Sequence, residues 1–109
     1  MEVVIKALSA IAPTYPFDAV QDQRAPFITY QYSETPIRTK DGIAGYEGTM
    51  AVTVYATSLM AADALAKRVV EAVDNKQLGT LTLYYNDVAD ADYPDNGISS
   101  KELTFNTLR

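Results

Sequence analysis

The sequence contains no cysteine, no histidine and no tryptophan among its 109 residues. Without cysteine, the chain has no disulfide, no thiolate nucleophile and no cysteine-ligated zinc or iron–sulfur site. Without histidine, it lacks the most frequent general base and the most common ligand of transition metals. These absences disfavour catalysis. We therefore expect a protein that is not an enzyme, with no catalytic residue, cofactor or metal site.

Long apolar runs and clusters of positive charge are also missing. The apolar stretches are only a few residues long, far short of the ~20 residues that span a bilayer. The first residues, Met1–Lys6, lack the pattern of a secretory signal. Nine Lys/Arg against 14 Asp/Glu give a net charge of −5, which argues against dedicated nucleic-acid binding. The sequence predicts neither membrane contact nor recognition of nucleic-acid sequence.

The composition that remains is that of one globular domain. With 48% hydrophobic and 21% charged residues, the chain is similar to ordinary folded proteins. Its length is close to the commonest domain size. Because no internal repeat, low-complexity tract or linker divides it, we expect residues 1–109 to form a single domain.

The spacing of apolar residues predicts one short and one long helix. The short helix is expected over Glu2–Ile11, and the long one runs from an N-cap at Ser58 to about Asn75. The long helix has its apolar residues on one stripe, which we expect to be buried. The members of this stripe are Ala62, Leu65, Val69 and Val73.

Alternation of apolar and polar residues predicts the strands. They are expected over Phe27–Tyr32, Thr49–Thr57, Leu78–Tyr85 and Ile98–Leu108, with Thr14–Ala25 as an extended loop or edge strand. Two hairpins that flank a long helix indicate an α+β fold. We expect a mainly antiparallel sheet of four to five strands with the long and the short helix packed on one face.

Two segments between these strands are predicted to be loops. Ser33–Gly48 is much longer than the two to five residues of a usual hairpin connection, and loops of that length are often functional. Asn86–Gly97 is rich in aspartate, and carboxylates at this density are candidate Ca²⁺ ligands. It lacks the Gly and Glu positions of an EF-hand loop, so a solvated acidic loop is favoured. A small ligand- or Ca²⁺-binding domain that uses residues 87–95 is the alternative function.

Several segments, taken in order, resemble a known family. The run Ala25-Pro26-Phe27-Ile28-Thr29-Tyr30-Gln31 precedes the strand Ala51–Ala56 and the Ala-rich helix start Ala61–Ala66, and a late Tyr93 precedes Leu103-Thr104-Phe105. This order is similar to that of the tail terminator and tail-to-head joining proteins of long-tailed bacteriophages, a tail-completion family. The resemblance covers about Pro26 to Leu108. Each fragment is an ordinary strand or helix, and their order and spacing together carry the likeness.

The resemblance implies a structural role in the virion. Proteins of this family are α+β subunits that assemble into a ring, typically hexameric, which caps the tail tube and offers the head connector its docking surface. The implied partners are copies of the chain itself, the tail tube protein and the head–tail connector protein. The implied location is the tail or neck of the virion, after assembly in the host cytoplasm.

In a ring, neighbouring subunits can cover the unpaired edges of each other's sheets. The long loop is expected to reach a neighbouring subunit or the tail tube. The predicted interface residues are Arg38, Lys40, Asp41, Tyr46 and Glu47.

Overall fold

The structure is a computed structural model that describes residues 2–16, 26–79, 81–91 and 99–109. Two helices and six strands follow one another along these segments. The helices are α1 (Glu2–Ser9) and α2 (Leu59–Val73), and the strands are β1 (Thr14–Pro16), β2 (Phe27–Thr39), β3 (Gly42–Ala56), β4 (Lys76–Leu78), β5 (Leu81–Ala91) and β6 (Ser99–Leu108).

All six strands form one mixed sheet in the order β1-β2-β3-β6-β5-β4. β1 pairs with β2 in parallel, and the other neighbouring pairs are antiparallel. The predicted α+β class with two helices is confirmed. The sheet is mainly antiparallel, as predicted, since only the β1–β2 pair is parallel. The predicted count of four to five strands is wrong, because β1 joins the edge and the predicted strand 78–85 is divided into β4 and β5. Gly79, with φ at 68°, turns the chain between β4 and β5, a conformation that glycine adopts without steric cost.

One hydrophobic core joins both helices to one face of the sheet. Val4 and Leu8 of α1 lie in the same buried cluster as side chains of α2 and of the sheet. The predicted stripe of α2 is confirmed, since its four residues are all buried. The N-cap is confirmed as well, because Ser58 Oγ accepts a hydrogen bond from the N–H of Ala61 at 3.1 Å. No helix in the described segments has the length and apolar character needed to cross a membrane.

The segment 33–48 is strand rather than the predicted loop. β2 and β3 continue to Thr39 and Gly42, and they pair along this whole length as a long hairpin. The prediction is wrong because most of these residues are exposed on both faces, so neither face needs the apolar alternation by which strands are recognised. The turn holds Lys40 and Asp41, and Gly42 follows it with φ at 118°, which favours glycine.

The predicted acidic loop is also wrong for residues 86–91, which continue β5 beside β6. A register shift between Tyr85 and Asp87 breaks the alternation along the strand, and pairing with β6 overrides the low strand propensity of aspartate. Residues 92–97 of the predicted loop lie outside the described residues. The same is true of residues 17–25 in the predicted extended segment and of Tyr93 in the family pattern.

Candidate assembly interface

The hairpin of β2 and β3 projects beyond the rest of the sheet. β6 accompanies β3 only to the pair Glu47–Leu108, and the last main-chain contacts join Tyr46 and Arg109 through two hydrogen bonds of 3.0 Å. Residues 36–45 therefore form a two-stranded ribbon that no third strand of the described chain accompanies. We call this ribbon the arm. At ~3.4 Å per residue it extends by about 15 Å, and the molecule measures 53 × 23 × 22 Å.

An ion pair and an aromatic ring fix the base of the arm to the last residue of the chain. Arg109 donates two hydrogen bonds to the carboxylate of Glu34, one of them from Nε at 2.9 Å. Its guanidinium carbon lies 4.2 Å from the centre of the Tyr46 ring. The hydroxyl of Tyr32 donates to the same carboxylate. We call these four residues the anchor, and its forked and stacked contacts are ones that arginine makes better than lysine.

The anchor changes the acidity of its own members. Hydrogen bonds from Arg109 and then from Tyr32 lower the pKa of Glu34 to about 2. The hydrogen bond with Glu34 raises the pKa of Arg109. Burial, followed by its hydrogen bond to Glu34, raises the pKa of Tyr32. At neutral pH the anchor therefore holds an ionised carboxylate against an ionised guanidinium.

The anchor is expected to stabilise the fold in a pH-dependent way. Because folding lowers the pKa of Glu34 from 4.5 to about 2, its contribution is complete above about pH 4.5 and is lost as the pH falls towards 2. Replacing Glu34→Gln should lower the melting temperature near neutral pH, and the gap to the wild type should close near pH 2. Circular-dichroism melts across this range measure it.

Arg109→Gln is the matched variant, since it removes the other half of the same ion pair. In this variant the melting temperature should depend less on pH between about pH 4.5 and pH 2 than it does in the wild type. A gap between Glu34→Gln and the wild type that stays constant from neutral pH to pH 2 would contradict the ion pair.

The five predicted interface residues lie in three places. Arg38, Lys40 and Asp41 lie together at the exposed end of the arm. Tyr46 belongs to the anchor and is half-buried. Glu47 follows it in β3, and because side chains alternate along a strand it faces the opposite side of the sheet, where it is exposed. The structure thus groups three of the five and separates the other two. Their part in assembly stays a prediction.

Sequence reasoning missed the apolar part of the arm and the ion pair at its base. Ile43 is 51% exposed and lies directly across the ribbon from Arg38. In a predicted loop an isolated isoleucine indicates no interface. On a paired strand the same residue gives one face of the arm an exposed apolar side chain. Glu34 and Arg109 are 75 positions apart, so no local pattern connects them.

Pro36 blunts the free edge of the arm. The N–H and the C=O of the opposite residue, Tyr46, are both engaged with Arg109, so they point away from β2. In such a pair the nitrogen of Pro36 also faces outward, where its missing hydrogen removes no ladder hydrogen bond and takes one donor from the outer edge. Pro36 therefore makes this edge a poorer partner for a further strand and favours contacts through side chains.

A depression of about 490 Å³ lies at the base of the arm, on the sheet face opposite the helices. Two cross-strand rows form its floor: Thr35, Glu47 and Leu108 in one, and Thr49, Asn106 and Tyr84 in the other. We call it the groove. Glu47 is the one charged residue of its lining. Leu108 and Tyr84 are 43% and 40% exposed, so the groove offers apolar surface beside one negative charge.

The described residues contain no group of three or more Asp or Glu side chains arranged to hold a metal ion. The alternative prediction of a Ca²⁺ site at residues 87–95 concerns side chains outside those that the structure describes.

Both a family model and solved structures match the chain. A family model described as "Tail completion protein gp17" matches residues 4–108. A chain in the solved virion of a native gene transfer agent particle is similar in structure, with a TM-score of 0.75 and 16% sequence identity; the alignment covers 98% of the present chain and 91% of that chain. No curated protein sequence matches. At this identity the structural match establishes a shared fold, whereas the family model spans nearly the whole chain.

Proposed function

Because the chain belongs to the tail completion protein gp17 family, we propose that it is a subunit of the ring that completes the phage tail. In this role it is a tail terminator or tail-to-head joining protein, which caps the tail tube and docks to the head connector. The family makes the chain a structural protein of the phage tail and a component of the virion. Membership in a structural family also points to a non-enzymatic role. The ring, with six subunits as its expected number, and its place in the neck belong to the proposal.

The observation that carries the proposal is the arm. An isolated two-stranded ribbon is marginally stable in water, and here its main support is the anchor at its base. A ribbon that projects about 15 Å and exposes its tip gains further stability from a neighbour in an assembly. We therefore propose that Arg38, Lys40 and Asp41 contact the adjoining subunit or the tail tube. In this arrangement Tyr46 holds the arm in position.

The experiment is to delete the gene from the phage or prophage that encodes it, and to add the purified protein to the lysate. Heads and unjoined tails should accumulate without the protein. Electron microscopy should show a ring on one end of the tail tubes after its addition, and joined particles should appear. Complete particles that form without the gene, or tube ends that the wild-type protein never binds, would contradict the proposal.

The arm is tested in the same lysate with a charge-reversed double variant. Arg38→Glu with Lys40→Glu should abolish joining, because it inverts the charge of the arm tip while leaving the core untouched. Lys67→Glu with Arg68→Glu makes the same charge change on the exposed face of α2 and should restore joining. If both double variants restore joining equally well, the charged residues at the arm tip do not make the proposed contact.

A further inference from the structure

We propose that the arm of one copy of the chain inserts into the groove of the next copy. In this contact Ile43 packs against Leu108 and Tyr84, and Arg38 pairs with Glu47. The inference rests on the proposed function, since it describes how adjacent subunits of the ring join. It also gives Glu47 a role different from that of Arg38, Lys40 and Asp41: Glu47 belongs to the groove that receives a neighbour's arm.

Each surface carries a charged residue directly beside an apolar one, and the end of the arm carries Lys40 and Asp41 as well. Arg38 and Ile43 are directly opposite each other on the two strands of the arm. Glu47 and Leu108 are directly opposite each other on β3 and β6 in the groove. Opposed side chains on paired strands lie about 5 Å apart. The register of the arm shifts between Ile37 and Arg38, so the two doublets are similar in spacing rather than identical. The charges are opposite and the apolar members are alike, which makes the doublets complementary.

The exposed apolar residues at both surfaces support the same contact. Ile43 is 51% exposed on the arm, and Leu108 and Tyr84 are 43% and 40% exposed in the groove. A single exposed apolar residue is normal on a protein surface. Here, however, the three residues lie on two surfaces whose charged residues, Arg38 and Glu47, are opposite in sign. Tyrosine is also enriched at protein interfaces.

A second copy is the occupant that the charges favour. With a net charge of −5, two copies repel each other at long range, so their association depends on local complementarity. An acidic partner would suit Arg38 and Lys40 on the arm but would be repelled by Glu47 in the groove, and a basic partner would do the reverse. Another copy of the chain supplies the match for both surfaces at once.

The contact joins different copies because an arm cannot reach its own groove. The groove lies at the base of the arm, on residues such as Thr35 and Glu47, and the tip projects about 15 Å away from it. Every copy therefore offers one free arm and one free groove. Such head-to-tail contacts close into a ring when the rotation between subunits fits, and Pro36 weakens the pairing of the arm's edge with a further strand.

The absence of cysteine allows a direct test by disulfide trapping in the full chain. One variant carries Ile43→Cys on the arm, and a second carries Thr49→Cys in the groove. Equal amounts are mixed with oxidised glutathione as the oxidant, and the linked heterodimer is measured on a non-reducing gel with a mass tag on one partner. The control pairs Ile43→Cys with Glu102→Cys, an exposed residue on the same sheet face near its other end.

The arm–groove pair should give a heterodimer in excess of both homodimers and at least about tenfold above the control pair, a ratio that corresponds to ~1.4 kcal/mol. Equal yields for the two pairs would overturn the inference. Adding Arg38→Glu to the arm variant or Glu47→Arg to the groove variant should each reduce the yield. Mixing the two reversed variants should restore it, and failure to do so would overturn the Arg38–Glu47 pairing.

The same disulfide separates this inference from the proposed function. Rings that form on tail tubes but contain no arm–groove disulfide would leave the function standing and overturn the docking. Disulfide-linked copies that never bind tubes would support the docking and overturn the function.

Discussion

Replacing Phe105→Ala is expected to lower the free energy of unfolding by about 3–5 kcal/mol, the usual cost of truncating a buried phenylalanine. Phe105 is fully buried and lies on β6 between Met50 of β3 and Tyr85 of β5. Its ring centre is 5.8 Å from that of Tyr85. Because three adjacent strands share this contact, the cavity left behind cannot be filled without moving the sheet.

The loss is large compared with the total stability of about 5–15 kcal/mol that a domain of this kind has. Urea unfolding followed by circular dichroism measures it. Tyr84→Ala is the control, since this neighbouring aromatic is exposed on the opposite face, and it should change stability by less than about 1 kcal/mol. Similar losses for both variants would contradict the assignment of the two sheet faces.

Replacing Gly48→Ala is expected to cost about 1–3 kcal/mol, the range for overpacking, and to release the base of the arm. A methyl group on Gly48 would overlap the carbonyl oxygen of Ser33 and lie 2.9 Å from Cα of Glu34. Both are atoms of the paired backbone, so no side-chain rotation relieves the contact. β2 and β3 must separate, which moves Glu34 away from Arg109.

Melting curves from neutral pH to pH 2 measure both effects of this variant. Gly48→Ala should melt at a lower temperature and should also lose the pH dependence that Glu34 confers. Thr49→Ala serves as its control, because the residue is adjacent but exposed, and it should stay within about 0.5 kcal/mol of the wild type. An unchanged melting temperature for Gly48→Ala would show that the strands do not approach as closely as described.

The anchor and the groove use the two faces of the same strand ends. Tyr46 and Arg109 contribute to the anchor, while their sequence neighbours Glu47 and Leu108 line the groove. Alternation of side chains along β3 and β6 produces this division. A change that shifts the anchor is therefore expected to shift the groove as well, which links the direction of the arm to the shape of the surface that receives a neighbour's arm.

The sequence by itself determined the parts of this protein that local burial controls. The stripe of α2 followed from the spacing of its apolar residues, because a residue facing the core must be apolar wherever the chain leads next. The cap at Ser58 followed from the residue type that precedes this stripe. The order of such fragments also sufficed for the family, which the match over residues 4–108 confirms.

The tertiary structure alone decided the arm, the anchor and the groove. The arm is exposed on both faces, so burial imposed no alternation on it and it looked like a loop. Glu34 meets Arg109 from 75 positions away, and the groove exists only where the register of β2, β3, β6 and β5 aligns residues from four strands. Pairing over such separations depends on how the whole sheet is assembled, and that information is not contained in any local stretch of sequence.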